Sequence, residues 1–144
     1  MTGGEAGERA FVLHPIGRVG SPLINRADAP RQGDEGAPAA WLQFDAAFEG
    51  ALGDLAVGDE ILVITWLHQA DRTTLRVYPR GDMARGLRGV FSTRSPDRPN
   101  PIGIHRVHIT AMESPLRIQV ANLEAIDGRP IIDVKPVLKH VRDR

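Results

Sequence analysis

The sequence predicts an all-β domain, either a small barrel or a sandwich, on three observations. Ile61 through Leu67 is a near-continuous run of β-favouring residues. Leu116, Ile118 and Val120 alternate strictly with their neighbours, and almost no stretch carries an apolar repeat of helical period. At 144 residues the chain suits one core and is too short for two well-buried ones. Gly and Pro signals divide it into about seven short strands.

Residues 1–10 are polar and Gly-rich and read as a disordered leader ahead of a domain spanning 11–138. Phe11 to Val19 is apolar but interrupted by Pro15 and Gly17, which suits an edge strand. Ser21 to Ala40 has no sustained period and reads as a long loop, a length that is usually functional or disordered. Trp41 to Phe48 resumes strand alternation, with Leu42, Phe44 and Ala46 opposite Trp41, Gln43 and Asp45. Leu52 and Leu55 predict a helical turn within Glu49 to Val57. Asp59 to His68 is the strongest strand signal and predicts a central strand that delivers His68 and Gln69 at its end.

Thr73 to Tyr78 alternates as a half-exposed strand, and Gly81 to Gly86 forms a loop before a Val90-Phe91 strand. Beyond a Pro-rich stretch, Ile102 and Ile104 share one parity while Val107, Ile109 and Ala111 share the other, which predicts a β-bulge near Arg106. Asp127-Gly128 predicts a turn before the strand Ile131 to Val134, and 139–144 is a short tail.

Composition excludes several kinds of chemistry. Without cysteine there is no disulfide, thiolate metal site or cysteine nucleophile. The five histidines show no helical i, i+4 pair, so no metal site is expected. No Gly-x-Ser-x-Gly elbow, Walker loop or dinucleotide glycine fingerprint is present. The N-terminus lacks an apolar segment, and no run approaches membrane-spanning length, so a soluble cytoplasmic protein without membrane association is expected.

The net charge is zero but unevenly spread. Residues 1–71 hold four arginines against eleven acidic residues, whereas 72–106 hold eight against two. Arg72, Arg76, Arg80, Arg85, Arg88, Arg94, Arg98 and Arg106 therefore predict a basic face able to meet phosphates. The same concentration is compatible with arginines that point apart or pair with the acidic half. At its centre is Arg88 to Gly103, where Pro96, Pro99 and Pro101 fix their own φ and push preceding residues into extended conformations. A stiff loop follows, with side chains supplying the donors that proline lacks. It reads either as a presented binding loop or as a solvated turn.

One ordered set is more specific: His14-Pro15-Ile16-Gly17, Ser21-Pro22, Pro30-Arg31-Gln32, Arg88-Gly89-Val90-Phe91-Ser92-Thr93-Arg94-Ser95-Pro96, Arg98-Pro99-Asn100-Pro101-Ile102-Gly103, and Asp127-Gly128 leading to Asp133-Val134-Lys135-Pro136. Together these resemble the TsaA-like (TrmO) family of S-adenosylmethionine-dependent tRNA methyltransferases, from Pro15 to Pro136. The resemblance implies a single-sheeted β-barrel with little helix that dimerises and binds S-adenosylmethionine. It also implies methylation of N6 of threonylcarbamoyladenosine at tRNA position 37, in the anticodon loop.

Cofactor contacts are then expected at Pro30, Arg31, Gln32, His68, Gln69, Arg94, Ile104, Ile126, Asp127, Gly128 and Arg129. Arg98, Asn100, His105, Asp133 and Lys135 are expected to support the loop or touch substrate. Arg31 or Arg94 suits the methionine carboxylate, and Gln32, Gln69 and Asp127 suit adenine or ribose edges. No catalytic residue is identified, and no general base is required if the amine loses its proton to water after transfer. His105 replaces the family's usual Ser and Arg129 its usual Thr, and Pro136 precedes Val rather than Tyr. The chain is expected to lack the C-terminal domain some members carry. These departures keep two alternatives open: methylation of a small molecule on the same fold, and a non-catalytic S-adenosylmethionine-binding module.

Overall fold

In the computed structural model, which describes residues 9–22 and 39–138, six antiparallel strands close into one barrel. In all, eight strands are described: β1 (Gly17–Gly20), β2 (Ala40–Phe44), β3 (Glu60–Trp66), β4 (Arg76–Val77), β5 (Arg88–Gly89), β6 (Ile102–Ser114), β7 (Arg117–Ala121) and β8 (Pro130–Pro136). The barrel runs β1-β2-β7-β6-β3-β8 and closes on itself, while β4 and β5 form a separate two-stranded ribbon between β3 and β6. Closure removes every edge from the main sheet.

Alternation puts Val19, Leu42, Phe44, Ile61, Val63, Val107, Ile109, Ile118, Val120 and Ile131 inside, where they form the core. β3 has neighbours on both sides, as its sequence predicts, and its inward residues are Ile61, Val63 and Thr65. Gly17 is required where β1 crosses β2, because a Cβ there would overlap the Gln43 carbonyl. A 3₁₀ helix, Ala46–Leu52, follows β2 and buries Leu52 against the core.

Several boundaries differ from the sequence reading. The first strand begins only at Gly17, and Phe11 to Leu13 are exposed. β2 ends at Phe44, the ribbon strands are two residues each, and Val90–Ser92 is a 3₁₀ turn instead of strand. β6 is not short: it has thirteen residues. No bulge lies near Arg106, because β6 pairs with β3 without interruption from Ile102 to His108. Its register shifts fall against β7, between Ile109 and Ala111 and between Met112 and Ser114.

The parity change reflects isoleucines on the outer face and not a kink in the strand. Ile102 and Ile104 are each 43% exposed on the outer wall, and the inward positions are Gly103 and His105. The leader through residue 8 and the tail from 139 lie outside the described residues.

Candidate functional site

Strand directions gather the predicted residues at one end of the barrel. Trp66 at the end of β3 pairs with Ile102 at the start of β6, Arg18 pairs with Pro130 at the start of β8, and Gly20 pairs with Trp41 near the start of β2. The connections 67–101 and 122–129 therefore open on this end, where β1 also ends and β2 begins. They carry His68, Gln69, Arg94, Arg98, Asn100 and Ile126 to Arg129, with Ile104 and His105 just inside β6. Pro30, Arg31 and Gln32 belong to the connection 21–39 but lie outside the described residues.

The 122–129 connection is hooked onto β1. The Ser21 amide donates to Asp127 Oδ1 at 3.0 Å, the Gly128 amide to the Val19 carbonyl at 2.8 Å, and the Val19 amide to the Arg129 carbonyl at 2.9 Å. Gly128 takes φ +79°, the left-handed conformation glycine adopts most readily. Ile126 is core, and Arg129 is only 7% exposed. Arg129 acts on His68: partial desolvation, reinforced by the Arg129 guanidinium, lowers the imidazole pKa from its ordinary 6.5. The neutral imidazole is thus favoured at neutral pH.

The Pro-rich loop is held by Arg98. Its Nε donates to the Ser95 carbonyl at 2.7 Å, and its Nη2 donates to the carbonyls of Val90 and Thr93, both at 2.5 Å. Asp97 Oδ1 accepts from the Asp71 amide at 2.8 Å. Arg72 donates to the Pro99 carbonyl and to Asn100 Oδ1 while its guanidinium lies 5.1 Å over the Trp66 ring. Arg94 is exposed and makes no hydrogen bond or ion pair among the described residues. A guanidinium presented this way is available to a carboxylate or phosphate.

The eight arginines do not form one face. Arg98 is consumed by loop carbonyls, and Arg106 makes a two-pronged pair with Glu60 at 2.9 and 2.8 Å on the outer wall. Asp133 and Lys135 also lie on that wall, joined at 3.2 Å. In the register Ile64 sits between Ile104 and Asp133, so Ile104 and Asp133 share one outer row, and Lys135 lies two residues further along β8.

Sequence reasoning missed Glu124. Inside the barrel end His105, 5% exposed, lies between Thr65 Oγ1 at 2.7 Å from Nε2 and Glu124 Oε1 at 2.5 Å from Nδ1. Gly103 makes room for this imidazole, since a Cβ there would stand 2.9 Å from His105 Nε2 and 2.8 Å from Thr65 Oγ1. In sequence Glu124 is one polar residue among Leu123, Ala125 and Ile126, the pattern of any outward-facing position, so only the fold reveals its partner.

A concavity of about 530 Å³ at the opposite end is lined by Leu55, Asp59, Glu60, His108 and Val137. It holds none of the predicted site residues. Among the described residues no three His, Asp or Glu side chains gather as a metal site, and no helix is long and apolar enough to cross a membrane.

Comparison with known proteins agrees with this architecture. The chain is 40% identical over 129 residues to a Methanothermobacter thermautotrophicus protein named "Probable S-adenosyl-L-methionine-binding protein", with 90% of this chain and 91% of that one covered. It is 40% identical over 138 residues to the S-adenosyl-L-methionine-binding protein of Archaeoglobus fulgidus, covering 87% of this chain and 88% of that one. A crystal structure of TrmO from Pseudomonas aeruginosa superposes with a TM-score of 0.70 at 25% identity, covering 94% of this chain. A further TrmO crystal structure gives 0.72 at 27% identity, also over 94% of this chain. The chain spans about three fifths of those two solved chains, 60% and 62%. The family model for the tRNA-methyltransferase O N-terminal domain matches residues 18–143, and the chain, a six-stranded barrel with its loops gathered at one end, belongs to that family.

Proposed function

We infer that the protein is an S-adenosylmethionine-dependent methyltransferase that modifies tRNA at N6 of threonylcarbamoyladenosine 37, and that it works as a cytoplasmic homodimer. The observation that carries this reading is that the connections 67–101 and 122–129 leave the same barrel end, the first carrying the exposed Arg94, with His68 brought within reach of the Arg129 charge and the Asp127-Gly128 turn hooked onto β1.

Those residues fit the cofactor's chemistry. S-adenosylmethionine presents a carboxylate, an ammonium, a ribose diol and an adenine edge. Arg94 suits the carboxylate, Gln69 the mixed donor and acceptor edge of adenine, and the outward Ile104 an apolar face. When bound, the cofactor's sulfonium supplies an electrophilic methyl group. The protein's task is to orient and exclude water, which suits a loop stapled by Arg98.

A small acceptor is the alternative raised by the size of His105 and Arg129 and by the zero net charge; with the two side chains 5% and 7% exposed, the first of those grounds is the weaker. The deciding experiment incubates the protein with S-adenosylmethionine and threonylcarbamoylated tRNA and follows the nucleosides by mass spectrometry. One methyl gained on that nucleoside is expected, and no gain overturns the acceptor assignment. Calorimetry showing no cofactor binding removes the methyltransferase reading altogether.

A further inference from the structure

We propose that Glu124 is the hydrogen-bond acceptor for the ribose hydroxyls of the bound cofactor, and that His105 is the residue that positions it. This rests on the cofactor reading above. The physical starting point is the cost of burying polar groups, which falls only when each is hydrogen-bonded. Thr65 is fully buried, His105 nearly so, and the Glu124 side chain is 17% exposed, so polarity rises outward along one chain of contacts.

Chemistry fixes the direction of that chain. An ionised carboxylate only accepts, so His105 Nδ1 carries the proton donated to Glu124 Oε1, and Nε2 accepts from the Thr65 hydroxyl. The imidazole is thereby satisfied on both sides and has no capacity left for a ligand. Glu124 Oε2 has no hydrogen-bond partner among the described residues, and Glu124 is the member of the relay that reaches solvent.

The backbone beneath it is packed into the core on both sides of Glu124. Leu123 and Ala125 are both wholly buried, and Asn122 makes the turn before them with φ +66°. A carboxylate anchored on both flanks and oriented by an imidazole is a preorganised acceptor. It stands three residues before Asp127, whose Oδ1 is already taken by the Ser21 amide.

An acceptor-only group selects a partner that can turn donors toward it, as rotatable hydroxyls can, without a fixed acceptor alongside. Adenine offers its amine beside an acceptor nitrogen, which a carboxylate repels. The vicinal hydroxyls of a ribose offer two donors side by side. The cofactor's ammonium is the other donor of this kind, and the experiment separates it from the diol.

The test measures affinity by calorimetry for S-adenosylhomocysteine and for its 2′,3′-dideoxyribose analogue. Unmodified protein should bind the analogue about tenfold more weakly or worse, the range of a charge-assisted hydrogen bond. In Glu124→Gln this ratio should fall towards one while the far-ultraviolet spectrum is unchanged. His105→Ser should lower it in part. His105→Asn should restore it, because the asparagine Nδ2 stands where the imidazole Nδ1 stood. If Glu124→Gln does not fold, Glu124→Asp, which withdraws the charge by one methylene, is held to the same ratio.

An unchanged ratio in the Glu124 variant overturns the proposal, as does an equal loss for both ligands, the result expected if Glu124 meets the ammonium. Absence of S-adenosylhomocysteine binding by unmodified protein removes the cofactor reading and this proposal together.

Discussion

A loop with three closely spaced prolines has lost three backbone donors and has to be held by side chains, and Arg98 carries that task. It serves three carbonyls, those of Ser95, Val90 and Thr93. Arg98→Ala should cost about 1–3 kcal/mol in urea denaturation, because those acceptors lose their partner. Arg98→Lys should not restore it, since an ammonium lacks the planar fork. Arg94, four residues earlier, makes no such contact, so Arg94→Ala should leave the urea midpoint unchanged and weaken S-adenosylmethionine binding about tenfold or more by calorimetry. His68 carries a pH signature: its pKa is lowered in the folded protein. The unfolded chain therefore takes up this proton first, and the His68 contribution is present above 6.5 and lost as pH falls through the folded value. His68→Gln should lose less stability than the parent between neutral and mildly acid pH, and an identical pH profile would remove this role.

At the scale of the element, β6 joins core and site. Its alternation continues unbroken through the barrel end, where Gly103 and His105 replace apolar side chains in the interior. Gly103 is needed for its smallness: a Cβ would press on Leu67, Thr65 and His105 together. Gly103→Ala should lower stability by about 1–3 kcal/mol, read by thermal unfolding, and should shift the His105 ring resonances by disturbing the Thr65 contact. The parity of the sequence changes at this place as it would at a bulge, yet the strand runs on without one. The pattern of isoleucines carries no information on which face is inside when the inner face holds a buried polar relay.

At the scale of the molecule, the barrel ends in an excursion whose apolar groups are unusually exposed: Leu75, Met83, Leu87 and Phe91, the last 82% exposed, beside Ile102 and Ile104 on the wall. Single exposed apolar residues are ordinary, but several within one excursion suit an interaction surface. It supports the homodimer proposed above. Phe91→Asp combined with Met83→Asp, both residues strongly exposed, should convert a dimer to a monomer in light scattering, and an unaltered mass would place the interface elsewhere.

The sequence by itself determined the all-β class, the central position of β3, the inward set of β2 and β7, and the order of motifs that names the family. Those are local properties, because period and turn chemistry act over a few residues. Only the tertiary structure decided that Arg98 is structural while Arg94 is presented, that His105 and Arg129 are buried, and that Glu124 belongs beside them. Thr65, His105 and Glu124 lie on β3, β6 and the β7–β8 connection, far apart in the chain. Barrel closure alone brings them within hydrogen-bonding distance, so no spacing rule along the sequence registers their contact.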